Sequence, residues 1–416
     1  MSQNPSRQVL QVIPFRNYFI SQLFLNFAIN MLGTVIFYQV YELTHDPYQV
    51  GLIGLAEFVP FFIVTFFSGY LADIIDRKKI IATSIFTYIL CVIFLFLVST
   101  KFNFLLTTIG VSVIYVINFI IGGIRGFLSP ARSAFSAQLV TKDFYAYSSN
   151  WLTISWHIGS VAGPAVGGLI YGWFGIGMAY NAIIVLVLVA FFVFLSVPKQ
   201  KTPERNTSEP ILESLSVGLK FVFNNQVVLG ALALDMFAVL FGGAVAMLPV
   251  FADKILHEGP VGLGFLRAAP AIGAIIMGIY LAKNPPLENA GRKLLWSVVG
   301  FGVATIMFAF STNFYFSLFA LALTGFFDDV SMVIRSTVVQ LYTPEEMRGR
   351  VSAVNGIFIG SSNELGAFES GVGAKFLGLV PSVVFGGFMT LLVVALTARF
   401  APKLRDLSID VSEKID

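Results

Sequence analysis

The chain is divided by apolar runs of one recurring length. They fall near 17–42, 48–72, 80–99, 105–131, 146–172 and 175–197, and again near 226–252, 260–282, 293–311, 314–341, 349–374 and 379–400. As a helix, each is long enough to cross the roughly 30 Å hydrocarbon core of a bilayer. Water cannot reach the backbone amides there, so spans of this kind fold as helices that satisfy their own hydrogen bonds. Charge is correspondingly sparse: 12% of residues are charged, against about 25% in soluble domains. The fold class is an all-α, multi-pass membrane protein. A net charge of +3, with the basic residues in loops, offers no surface for nucleic acid. The single cysteine, Cys91, excludes a disulfide framework or a cysteine-based metal cluster. Residues 1–14 are polar and lack a signal-peptide pattern, so the first span is expected to act as the targeting signal.

Lysine and arginine sort the loops. Arg7, Arg77 to Lys79, Arg132, Lys142, Lys199, Lys283, Arg292, Lys293, Arg348 and Arg350 fall at one face, and Lys101, Lys254 and Lys375 near the other. The positive-inside rule places the first face, and both termini, in the cytosol. Both termini on one side require an even number of spans, and twelve fits. The polar stretch 198–225 reads as a cytosolic linker joining a six-helix half, 1–197, to a second half, 226–416, with a short cytosolic tail.

The two halves repeat each other. Leu23 to Asn26 matches Leu232 to Asp235, and Gly33 falls on Gly242. Val50-Gly51-Leu52 up to Pro60 matches Val261-Gly262-Leu263 up to Pro270, with one gap. Gly69 to Ala72 matches Gly278 to Ala282, and Gln138 to Thr141 matches Gln340 to Thr343. Duplicated halves are a hallmark of secondary transporters.

Two motifs carry a family resemblance. Between the second and third spans lies Gly69-Tyr-Leu-Ala-Asp73-Ile-Ile-Asp-Arg77-Lys78-Lys79, which resembles the G-x-L-x-D-x-x-x-R-[KR] loop of the major facilitator superfamily. In the fifth span, Gly159-x-x-x-Gly163-Pro164-x-x-Gly167-Gly168 resembles the helix-5 motif of that superfamily's antiporters. Glycines four apart make a smooth face for close helix approach, and a proline bends the helix. The eleventh span keeps glycines at 360, 366, 371 and 373 without the proline. Phe15-Arg16, Leu43-Thr44-His45, Pro130-Ala131-Arg132 and Thr343-Pro344-Glu345 resemble the enterobactin (siderophore) exporter branch, which also holds drug exporters. The Ser-Pro-Ala-basic stretch is similar to one in lysophospholipid transporters.

The resemblance implies the major facilitator fold, with twelve transmembrane helices in two six-helix pseudo-repeat halves working by alternating access. It implies a bacterial inner membrane location, no cofactor and a monomer. It also implies a gating set: Gly69, Asp73, Arg77, Gly163, Pro164 and Arg350. Asp73 is expected to meet the start of the eleventh span near Gly349 and Arg350.

Charges at membrane depth cost at least about 2.5–3.5 kcal/mol and so face a cavity or a partner. They are Glu57, Arg125, His157, Asp235, Arg267, Asp328, Asp329, Arg335, Glu364 and Glu369. Glu57 and Arg267 each precede a repeat proline by three residues, with opposite charge. In the superfamily fold Glu57 would face the eleventh span, with Glu364 and Glu369, and Arg267 the fifth, near His157. Asp235, matched to neutral Asn26, reads as a lone mid-membrane carboxylate and as the first choice for proton coupling, with Asp328, Asp329 and Glu57 behind it. Asp328 and Arg335, seven apart, share a face but are too distant to pair. Arg125 reads as a fixed cation available to an acidic residue of the tenth span or to substrate. The substrate cavity is expected near the bilayer midplane, with Asn26, Asn30, Arg125, Asp235 and Asp328 as its polar groups.

The chain has no nucleotide-binding loop, metal-ligand cluster or nucleophile triad, which argues against an enzyme and a primary pump. The reading is a proton-coupled exporter of a small amphipathic organic molecule such as a siderophore. Multidrug efflux, lysophospholipid movement and siderophore import are the alternatives, and a non-transporting sensor is the alternative of another class.

Overall fold

The computed structural model describes residues 5–200, 211–286, 288–344 and 347–409. Residues 201–210 of the expected linker, Glu345 and the last residues of the tail lie outside the described residues. In chain order the helices are α1 (Pro5–Gln11), α2 (Ile13–Thr44), α3 (Pro47–Ile74), α4 (Arg77–Thr100), α5 (Asn103–Ile109), α6 (Ser112–Gln138) and α7 (Tyr145–Leu195). They continue as α8 (Ile211–Asn224), α9 (Gln226–Gly242), α10 (Leu248–Lys254), α11 (Gly259–Lys283), α12 (Ala290–Ala309), α13 (Phe314–Tyr342), α14 (Arg348–Leu377), α15 (Leu379–Phe400) and α16 (Pro402–Arg405). The described residues contain no strand.

Ten segments among the described residues are long and apolar enough to cross a membrane. One of them, Lys142–Leu195, spans 54 residues, and its helix α7 is broken by non-helical backbone at Gly175 (φ 79°, ψ 173°). Helix α14, with 30 residues, is long enough but too polar to be among the ten. Reading α7 as two crossings and α14 as one more reaches the expected twelve. Large apolar side chains such as Trp173, Trp296, Tyr315 and Phe376 are more than two-thirds exposed. In water that surface would be a liability; against lipid it is the solvated face.

Local chemistry fixes the helix ends. Asp76 caps α4 by accepting the Lys78 amide at 3.0 Å. Asn225 caps α9 by accepting the amides of Val227 and Val228 at 3.1 Å. Asn313 does the same for α13 through Phe316. Each satisfies an amide that the first turn leaves orphaned. Gly378, at φ 92°, separates α14 from α15 in a conformation that favours glycine.

The chain forms two compact units. The first comprises residues 1–45, 56–208 and 259–268; the second comprises 46–55, 209–258 and 269–416. In the first, α2 packs along α7 on the glycine face. A Cβ at Gly159 would stand 2.8 Å from the Asn26 carbonyl carbon, and one at Gly163 2.8 Å from the Phe27 carbonyl oxygen. One at Gly167 would stand 2.9 Å from Met31 Cγ. No side chain larger than hydrogen fits at that approach. In the second unit a Cβ at Gly366 of α14 would lie 2.9 Å from the Leu240 carbonyl oxygen of α9. The Cα atoms of Gly51 and Gly371 likewise allow α3 and α14 no side chain between them.

Candidate functional site

Each unit holds a charged cluster inside its apolar helices. In the second unit Asp235 of α9 forms an ion pair with Arg335 of α13, both side chains only 8% exposed. Two turns before Arg335 on the same helix, Asp328 joins Asp235 and Ser331 around a cavity of about 10 Å³, closed by Phe301 and Phe327. That is roughly the space one water molecule needs. Asp329 points elsewhere: one carboxylate oxygen lies 3.3 Å from where a Cβ on Gly278 of α11 would sit. Its Oδ2 is buried without a hydrogen-bond partner. Asp235 and Asp328 therefore share one small cavity, and Asp329 faces α11.

In the first unit Glu57 of α3 pairs with Arg125 of α6, whose guanidinium also lies 5.6 Å from the centre of the Phe61 ring. Helix α6 carries a second arginine on the same face, seven residues on. Arg132 Nη1 donates to Asn26 Oδ1 at 3.5 Å, and its carbonyl accepts the Tyr18 hydroxyl at 3.2 Å. Asn26 donates to Ser155 Oγ at 3.1 Å. Asn30 folds back to donate to the Asn26 carbonyl at 2.9 Å.

Several sequence expectations change. Asp235 is not a lone carboxylate but half of an ion pair, because α9 and α13 bring Arg335 against it. Glu57 pairs with Arg125, and Gly122 lets α6 lie against the Glu57 backbone. Arg125 is therefore half of an ion pair within its own unit. Arg267 donates to the Gly33 carbonyl at 3.1 Å and lies 5.0 Å from the Phe37 ring centre, on α2 rather than at His157. Its helix does reach the fifth span, where a Cβ at Gly264 would stand 2.7 Å from the Pro164 carbonyl oxygen. The 10 Å³ cavity joins Asp235 and Asp328, whereas Asn26 and Asn30 bond to each other, and Arg125 pairs with Glu57, in the other unit.

At the loop signature, Arg77 donates to the Ala134 carbonyl at 3.5 Å and Lys78 to the Leu195 carbonyl at 3.0 Å. Lys199 lies 3.3 Å from the Asp76 carboxylate. The side chains of Gly69, Asp73 and Gly349 lie outside the described residues. Arg350 donates to Met347 Sδ at 3.9 Å, and its backbone packs on Gly218 of α8. Sequence reading counted Arg132 among cytosolic loop charges. The structure places it within α6, which continues through Pro130 to Gln138. Its spacing of seven from Arg125 was the available signal.

A cavity of about 620 Å³ beside the junction of α12 and α13, lined by Val303, Ile306, Phe310, Asn313 and Phe316, carries no titratable group.

Comparison with known proteins follows the same lines. The family model described as transmembrane secretion effector matches residues 8–414. The enterobactin exporter EntS of Escherichia coli O1:K1 is 26% identical over 397 residues, covering 94% of this chain and 92% of the exporter. The EntS of Shigella boydii serotype 18 matches with the same identity and coverage. Among solved structures, a POT family transporter in complex with 5-aminolevulinic acid superposes with a TM-score of 0.74 at 11% identity, over 94% of this chain and 96% of that one. A bacterial homologue of the human lysosomal transporter Spinster, inward-facing and unoccupied, gives 0.67 at 14% identity over 97% of each chain. These two show the fold alone.

Proposed function

The chain belongs to the transmembrane secretion effector family, and on that premise we propose that it is a proton-coupled exporter in the bacterial inner membrane. Its cargo is a small amphipathic organic molecule, a catecholate or carboxylate siderophore before a drug or lysophospholipid. It works as a monomer by alternating access, with both termini cytosolic. The observation that carries the coupling is the Asp235–Arg335 pair beside Asp328. Charges within apolar spans are costly to insert and are kept where they do work. A proton taken by a carboxylate there changes the charge that Arg335 faces. That gives two states of different energy, the requirement for coupling transport to a gradient. The relatives called enterobactin exporters support the direction and the cargo.

The test is accumulation in inverted membrane vesicles under an imposed proton gradient, with a catecholate siderophore, a cationic dye and a lysophospholipid as separate arms. The siderophore should accumulate most. Asp235→Asn should bind it and fail to concentrate it. Full accumulation by that variant under the same gradient removes Asp235 from coupling, and preference for dye or lysolipid replaces the cargo.

A further inference from the structure

In the first unit, helix α2 presents Tyr18, Gln22 and Asn26 one turn apart on a single face. Tyr18 reaches the Arg132 carbonyl and Asn26 reaches its Nη1, so this face lies along α6 at Arg132. Gln22, only 3% exposed, sits between those two contacts. Its Nε2 is buried without a hydrogen-bond partner, and so are Arg132 Nε and Nη2. Nε and Nη2 form one edge of the guanidinium, the fork that takes a carboxylate through two parallel hydrogen bonds. Tyr18, Tyr88 and Arg125 act on Arg132 electrostatically, and none of them is a carboxylate. Glu57, the nearby acid, is already paired with Arg125. Buried donors of this strength are almost always matched by an acceptor.

We propose that the Arg132 fork, with Gln22 beside it, is a binding subsite for the oxyanion of the transported molecule, an aromatic or aliphatic carboxylate. It rests on the export reading for what arrives there and supplies that reading with its anion contact, which Arg125 does not provide. Arg132 stands six residues before the end of α6 at Gln138, near the face assigned to the cytosol, where an exporter loads.

The experiment is titration calorimetry of the purified full chain in detergent with salicylate and with salicylamide, its neutral counterpart. The wild type should bind salicylate roughly tenfold more tightly than the amide, the scale of one charge-assisted bidentate contact. R132Q should remove that preference while leaving binding of the amide. R132K should also lose most of it, because an ammonium keeps the charge without the fork; it decides the matter should R132Q fail to fold. Q22L should reduce the preference less. A wild type indifferent to the anion, or R132K with the full preference, overturns the subsite. The vesicle assay on the wild type is separate: accumulation without an anion preference leaves export standing and removes only the subsite. No accumulation with an intact preference does the reverse.

Discussion

Asn26 and Asp235 occupy matching positions in the two repeats, and the surroundings of each have taken opposite charge. At Asn26 the first unit places Arg132, and seven residues earlier on the same helix Arg125 pairs with the acid Glu57. Around Asp235 the second gathers Asp328 and one cation, Arg335. The glycine contacts have not diverged in this way: Gly163 presses on α2 as Gly366 presses on α9. Duplication has thus kept the helix framework, where any side chain is a clash, and released the charges. One unit is left with spare cationic donors and the other with spare carboxylates. An exporter that exchanges a proton for an anionic cargo needs one of each.

The largest effect should separate the two ion pairs. Asp235→Ala strands a buried guanidinium and should cost about 3–5 kcal/mol of stability, read as a lower melting temperature in detergent. Replacing Asp235 and Arg335 together by leucine should recover most of it while abolishing accumulation. Glu57→Ala, at the more exposed pair, should cost about 1 kcal/mol. Equal losses at both pairs would erase the contrast between the units.

The glycine framework should respond alike in both units. Gly163→Val and Gly366→Val each force helices apart and should cost about 1–3 kcal/mol by overpacking. A difference larger than that range between the two would show that the framework too has diverged. The smallest effect is expected at Gly356, where a Cβ meets nothing within 4 Å. Gly356→Ala should be neutral or stabilise by roughly 1 kcal/mol through helix propensity, measured in the same melts.

The spans and glycine faces were legible because hydropathy and four-residue spacing are properties of one helix. Partner choice is a property of two. Asp235 and Arg335 lie a hundred positions apart, and nothing in their spacing says that α9 and α13 meet there. The Glu57–Arg125 pair is hidden for the same reason: the glycine that admits α6, Gly122, is on the other helix. Arg132 was hidden differently. Pro130 reads as the end of a span, yet α6 runs through it, and a charge assigned to a loop becomes a buried donor.

Gly175 and Gly378 have a consequence for how the protein is made. Each joins two helices through a single residue of positive φ, with no loop between. From His157 to Lys199 the first hairpin carries no charged side chain at all. Its tip can therefore pass through lipid during biogenesis without dragging polar backbone or charge across. A lengthened, charged tip at Gly175 would turn that passage into a translocation step.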